Sequence, residues 1–171
     1  MLDKGVTILR CDGVEGRFDG HVHQVALFDR DGVLNIDHGY VSKVEDFEWV
    51  EGAREILDQC RSLGMGIGVI TNQSGIGRGY YSELAYVDLM EAVLPVGLVD
   101  LVVYCPHAPE ADCPGRKPGG RMLEMALRFL KLTVRRPFLL VTRRVIWGQQ
   151  MRRGFEAFAF WGVICVICLR I

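Results

Sequence analysis

Two aspartates one residue apart, Asp29 and Asp31, follow an apolar run from Val25 to Phe28. The run reads as a short buried strand, and Gly32 as the turn that ends it. Alternation along an extended chain points both carboxylates the same way. Like charges side by side repel unless a cation lies between them or one is protonated. The reading that follows is a Mg²⁺ site at a strand's C-terminal end, because this hard ion takes oxygen ligands and shares them with substrate phosphates. A solvated Asp-rich turn competes with it for as long as the pair stands alone.

Four more polar clusters could do chemistry. The loop Asn35-Ile36-Asp37-His38-Gly39-Tyr40 lies next to the aspartates in the chain, although by itself it also reads as an ordinary turn. Thr71-Asn72-Gln73-Ser74-Gly75 opens a glycine-rich stretch whose hydroxyl, amides and close backbone suit a phosphate. A flexible surface turn would look the same. Cys105-Pro106-His107 with Cys113 gives three soft or borderline ligands on one loop, which fits a structural zinc lacking its fourth donor; scattered thiols are the alternative. Arg116 and Lys117 could grip a phosphate as fork and point charge, or form a solvated basic pair.

The elements between these clusters alternate. Gly52–Leu63 spaces Ala53, Ile56, Leu57 and Cys60 as an amphipathic helix with Gly64 as its cap. Met65–Ile70 is an apolar strand, as in a parallel sheet covered on both faces. Ser82–Leu94 is a second helix capped by Ser82, and Leu98–Tyr104 a third strand. The expected fold is α/β: a doubly wound, mostly parallel, Rossmann-type sheet with polar loops at the strands' carboxyl ends. Residues 1–24 read as a poorly ordered extension; His21 and His23 within it read as a solvated pair. Residues 25–132 form the domain, and 133–171 its atypical, irregular C-terminal part.

The 171 residues suffice for one domain with a real core, and half of them are hydrophobic. The net charge of −1 conceals an imbalance: residues 1–115 carry 8 basic and 19 acidic side chains, residues 116–171 carry 12 and 2. A basic tract often marks a nucleic-acid arm. This one has neither a recognition fold nor an amphipathic period, so neither nucleic acid nor membrane is expected as partner. No signal-peptide pattern opens the sequence, and Ala157–Leu169 is too short to span a bilayer, so a cytoplasmic, reducing setting is expected, with thiols or metal ligands rather than disulfides.

Taken together, Asp29-Arg30-Asp31-Gly32, Asp37-His38-Gly39-Tyr40, Thr71 to Gly75, Cys105-Pro106-His107 and Arg116-Lys117-Pro118 resemble the D-glycero-D-manno-heptose 1,7-bisphosphate 7-phosphatases of the haloacid-dehalogenase superfamily. The histidinol-phosphate phosphatases share much the same motifs. The resemblance runs from about Val25 to Leu132. It implies a monomeric hydrolase acting on a small phosphorylated sugar in lipopolysaccharide biosynthesis. Asp29 would be the nucleophile, Asp31 the acid and base, and Thr71 and Lys117 would stabilise the phosphoryl group. Asp37, His38, Gly39, Tyr40, Asn72, Gln73, Ser74 and Arg116 would contact substrate. Mg²⁺ would sit on the Asp29 carboxylate and the Asp31 carbonyl, and zinc on Cys105, His107 and Cys113.

Three departures stand against this pattern. Gly115 occupies the place of the fourth zinc cysteine, and Gly119-Gly120-Arg121-Met122 replaces Pro-Gly-Met. A Gly-Asp-x-x-x-Asp-Met motif should follow a fourth strand and supply another Mg²⁺ carboxylate. Phe138–Val141 reads as that strand, yet Thr142-Arg143-Arg144 comes next. We read the C-terminal part as translated out of frame. Regrouped from each third base, the codons of Leu140 to Trp147 permit Gly-Asp-x-x-Ser-Asp-Met, with the shift between Phe129 and Val134. On this reading Cys165 and Cys168 are accidental neighbours, and a catalytically dead remnant lacking the last metal carboxylate is the alternative to an active enzyme.

Overall fold

The computed structural model describes residues 7–10, 24–130, 138–141, 155–160 and 163–169; for 8–10 and from 138 onward it describes the backbone. Strands β1 (Thr7–Arg10), β2 (Val25–Phe28), β3 (Gly66–Asn72), β4 (Leu101–Cys105) and β5 (Phe138–Val141) form one sheet in the order β1-β4-β3-β2-β5. Four of them are parallel, and β1 runs antiparallel on the β4 edge. From β2 the chain winds outward through β3 to β4, then returns to place β5 on the other side of β2. The strand order therefore reverses at β2.

Helices cover both faces, because successive strand residues alternate between them. Ala26 and Phe28 of β2 pack with Leu57 of α1 (Ala53–Ser62) and with Tyr86 and Met90 of α3 (Glu83–Val93). Val25 and Leu27 face the opposite way, toward Met122, Ala126 and Leu127 of α4 (Arg121–Phe129). Gly68 in mid-β3 leaves room on that side, since a Cβ there would lie 2.8 Å from a Leu27 methyl. Ser82 caps α3, its Oγ accepting from Ala85 N–H at 3.1 Å. At the far end of the sheet the buried Asp100 carboxylate accepts from Ile67 N–H at 2.6 Å and from both Arg61 Nη atoms.

The doubly wound sheet expected from the sequence is the one observed, with several differences. Part of the N-terminal extension, Thr7–Arg10, is an ordered edge strand rather than irregular chain. Thr71 and Asn72 end β3 instead of starting a loop. Ser74–Gly77 forms a four-residue helix, α2, where a glycine-rich turn was expected. Helix α4 has no counterpart in the sequence reading. Within the stretch expected to be irregular, β6 (Phe155–Phe160) and β7 (Val163–Leu169) pair antiparallel. Cys165 and Cys168 lie in β7, described in backbone only. His21, His23 and Thr142-Arg143-Arg144 lie outside the described residues. No helix among the described residues is long and apolar enough to cross a membrane.

Candidate active site

Asp29 follows the last residue of β2, at the reversal of strand order. Open α/β sheets bind ligands in the crevice outside the strand ends at such a point. Asp29 Oδ1 accepts from Arg30 N–H at 2.8 Å, and Oδ2 lies 2.7 Å from Lys117 Nζ. Lys117 reaches in from the loop before α4, and its ammonium also donates to Ile70 O at 3.1 Å. With side chains 6% and 15% exposed, the Lys117–Asp29 pair is little screened by solvent. The Lys117 main chain is seated on the Asn72 side chain.

Asp31 is held from three directions. Arg30 gives Nε and Nη2 to its Oδ1 at 2.9 and 2.6 Å, and Asn35 Nδ2 approaches the same oxygen at 3.3 Å. Among the described residues, Gln73 Nε2 is the side-chain donor to Oδ2, at 3.0 Å. Arg30 is buried with its guanidinium 5.4 Å from the Tyr86 ring centroid, and Nη2 also donates to Val41 O at 2.9 Å. Burial opposes the charge on Arg30, but Asp31 together with the Tyr86 and Tyr81 phenols outweighs it and holds the guanidinium above its ordinary pKa.

Thr71, buried near the end of β3, accepts at Oγ1 from Gln73 Nε2 at 2.8 Å, so one amide nitrogen serves both Thr71 and Asp31. Gln73 Oε1 in turn accepts from the Tyr81 hydroxyl at 2.8 Å. Burial pushes the Tyr81 phenol up to about 12. Gly75 lets that ring lie close, since a Cβ there would collide with Tyr81 Cε1.

The structure thus gathers Asp29, Asp31, Thr71, Asn72, Gln73 and Lys117 at one end of β2 and β3. Both amides, of Asn72 and Gln73, are engaged by protein partners. Ser74 is the first residue of α2, and its carbonyl accepts from Arg78 N–H at 3.0 Å. Asp37, His38, Gly39 and Tyr40 form an exposed loop: Asp37 Oδ1 accepts from Gly39 N–H at 3.1 Å, and His38 lies 3.3 Å from Glu48. The Tyr40 ring meets Tyr80 edge-on at 4.8 Å. The loop joins the aspartates through Val41 O on Arg30.

Beside this cluster, Cys105, His107 and Cys113 bring their ligand atoms within 4.8 Å of one another. Two thiols and an imidazole are donors that suit zinc. Burial pushes the Cys105 thiol up to about 11. Arg116 donates Nη1 to His107 O at 3.1 Å, which ties it to this loop. For Mg²⁺, the hard oxygens of Asp29 and Asp31 are the fitting set.

Arg30, Asn35 and Tyr81 organise the site, and the sequence reading assigned them no role. Asn35 stood in a polar loop, which was a usable hint. An arginine between two aspartates reads as a solvated charge, and nothing local marks it as buried.

Fold and site together place the chain among the HAD-like phosphatases. It is similar to a HAD-like phosphatase of Mesorhizobium loti, with a TM-score of 0.72 and 30% identity over 85% of this chain and 74% of that one. It also resembles D,D-heptose 1,7-bisphosphate phosphatase of B. bronchiseptica, solved with magnesium and phosphate (TM-score 0.56, 28% identity, 65% of each chain). Among curated relatives, the D-glycero-beta-D-manno-heptose-1,7-bisphosphate 7-phosphatase of Helicobacter pylori strain J99 is 41% identical over 122 residues, 67% of this chain and 70% of its own length. Those of Pasteurella multocida and Escherichia coli K12 are 39% and 35% identical, over 69% and 67% of their lengths. The chain matches no protein-family profile. It belongs to the D-glycero-beta-D-manno-heptose-1,7-bisphosphate 7-phosphatase family, and by family it is a phosphoric monoester hydrolase.

Proposed function

We propose that the chain is a Mg²⁺-dependent phosphatase that removes the 7-phosphate of D-glycero-D-manno-heptose 1,7-bisphosphate through an aspartyl-phosphate. The observation that carries this is the pairing of Asp29 with Lys117 at 2.7 Å beside an Asp31 fixed by its own partners. An Asp29 oxygen attacks phosphorus, the bond from phosphorus to the sugar oxygen breaks, and that oxygen takes a proton from Asp31. Water then attacks the same phosphorus, gives its proton to Asp31 and regenerates Asp29. Oδ2 of Asp31, with one side-chain donor among the described residues against three contacts on Oδ1, is the oxygen suited to exchange the proton. Lys117 and Thr71 lie where they can offset charge on the transferring group. Mg²⁺, held by Asp29 and the Asp31 main chain, would neutralise phosphate charge. Zinc on Cys105, His107 and Cys113 would be structural.

The test is orthophosphate release from the heptose bisphosphate and from histidinol phosphate, with Mg²⁺ or with chelator, for the wild type and Asp29→Asn. The expected result is Mg²⁺-dependent release that is faster on the heptose and lost in D29N. Faster release from histidinol phosphate would move the substrate to the sister group. A second reading, a phospholigand-binding chain without turnover, is favoured by one observation. Val141, the end of β5, pairs with Phe28 next to Asp29, and the sequence continues with Thr142-Arg143-Arg144 instead of a metal carboxylate. Binding of orthophosphate without any release would decide for it.

A further inference from the structure

Structural zinc takes four donors in a tetrahedron. The loop after β4 brings together three, and among the described residues no fourth His, Cys, Asp or Glu joins them. Main-chain hydrogen bonds hold the three in place. Cys105 ends β4, and its carbonyl accepts from Gln73 N–H at 2.8 Å. Gly77 N–H holds Pro106 O at 2.8 Å, and Arg116 holds His107 O at 3.1 Å. Cys105 Sγ and His107 Nδ1 stand 3.6 Å apart. A tetrahedral ion with bonds of about 2.3 Å to sulfur and about 2.05 Å to nitrogen would itself set those donors roughly 3.6 Å apart. Gly115 N–H points at Cys113 Sγ from 3.4 Å, but Gly115 has no side chain to contribute. Cys105 and Gly115 are buried, whereas His107 and Cys113 are partly exposed, so solvent reaches the cluster from their side.

We propose that this loop forms an open zinc centre, with three protein donors and a fourth position filled by an exchangeable ligand from solvent, preferentially a small thiolate. Two thiolates and an imidazole make a soft donor set, which favours sulfur over water at the remaining position. The exchange is a ligand substitution: the external thiol gives its proton to solvent, its sulfur binds zinc, and water leaves. Nothing is oxidised or reduced. The inference rests on the zinc reading of this loop and is independent of phosphatase turnover.

The full chain, stripped with chelator, is titrated with Co²⁺ as the spectroscopic substitute for zinc. One Co²⁺ per chain is expected, with thiolate charge-transfer and visible bands that shift when millimolar 2-mercaptoethanol is added. Gly115→Cys should abolish that shift and retain zinc against a chromogenic chelator about tenfold more tightly or better. If G115C does not fold, the wild-type titration still decides, with Cys113→Ser expected to lose stoichiometric uptake. Absence of stoichiometric Co²⁺ binding would overturn the zinc reading itself. Stoichiometric binding with bands that added thiol leaves unmoved would overturn the open position alone, because a donor from elsewhere in the chain would then complete the site.

Discussion

Asn72 grips Lys117 by its main chain: its Oδ1 accepts Lys117 N–H at 3.0 Å, and its Nδ2 donates to Lys117 O at 3.4 Å. One residue ends β3 and the other belongs to the loop before α4. A single amide therefore registers that loop against the sheet and sets where the ammonium stands relative to Asp29.

Asn72→Ala should cost about 1–3 kcal/mol in urea unfolding, because it strands a partly buried N–H and C=O. Orthophosphate affinity should fall with it as the ammonium loses its seat. Asn72→Asp keeps the acceptor and loses the donor, so it should fall between the two. An N72A melt superimposable on the wild type would mean that the loop is seated by other contacts.

Arg30→Lys keeps the charge but cannot reproduce the Nε and Nη2 fork on Asp31 together with the bond to Val41 O. A loss of about 2 kcal/mol is expected for R30K. Arg30→Met removes the buried charge that pairs with Asp31 and should cost about 3–5 kcal/mol. Equal denaturation midpoints for wild type and R30K would show that any cation suffices there.

Gly77→Ala places a Cβ 2.7 Å from Ala108 N and 2.7 Å from Pro106 O, and both are main-chain atoms. The cysteine loop must then move away from α2, at an expected cost of about 1–3 kcal/mol. Gly79 is the control: its Cβ would meet nothing, so G79A should cost only the roughly 1 kcal/mol of its φ of +73°. Paired thermal melts that rank G79A as the more damaging would contradict the packing described for α2.

Tyr81 gives the fold an alkaline limit. Its folded pKa of about 12 lies above the value near 10 expected in the unfolded chain. Between those values the native state keeps a proton that the unfolded state has lost, so this contribution is complete below pH 10 and vanishes as pH rises through 12. Tyr81→Phe cannot titrate, so the stability gap between wild type and Y81F should narrow over that window. Urea midpoints collected from pH 9 to 12 would show it, and a constant gap would remove Tyr81 as the cause.

Much of this was written locally in the chain. Apolar runs gave β2 and β5 to the residue and β3 and β4 more loosely, with β4 starting at Leu101 rather than Leu98, and Ser82 announced α3. Met122, Leu123, Ala126, Leu127 and Leu130 carried the helical spacing of α4, a signal that went unread between the basic residues. Ser74–Gly77 was illegible for another reason. Ser-Gly-Ile-Gly has poor helix propensity, and it turns helical against Tyr81 and the Pro106 loop, contacts that local pattern does not encode. The aspartates, Thr71 and Lys117 were legible as chemistry. Arg30 was not, because its burial depends on Tyr86 and Val41, distant in the chain.

The four residues of β1 also bear on how the molecule behaves among its own copies. All of β4 is buried, and one of its hydrogen-bonding edges is taken by β3. β1 occupies the other from Thr7↔Tyr104 to Arg10↔Leu101, and Thr7 Oγ1 bonds the same Glu83 oxygen that receives the Tyr104 hydroxyl. Without this cover, Leu-Val-Val-Tyr-Cys would present an open row of amides and carbonyls beside aliphatic side chains, a template on which another chain could add a strand. A short segment far from the chemistry thus takes up the edge that β4 would otherwise leave open.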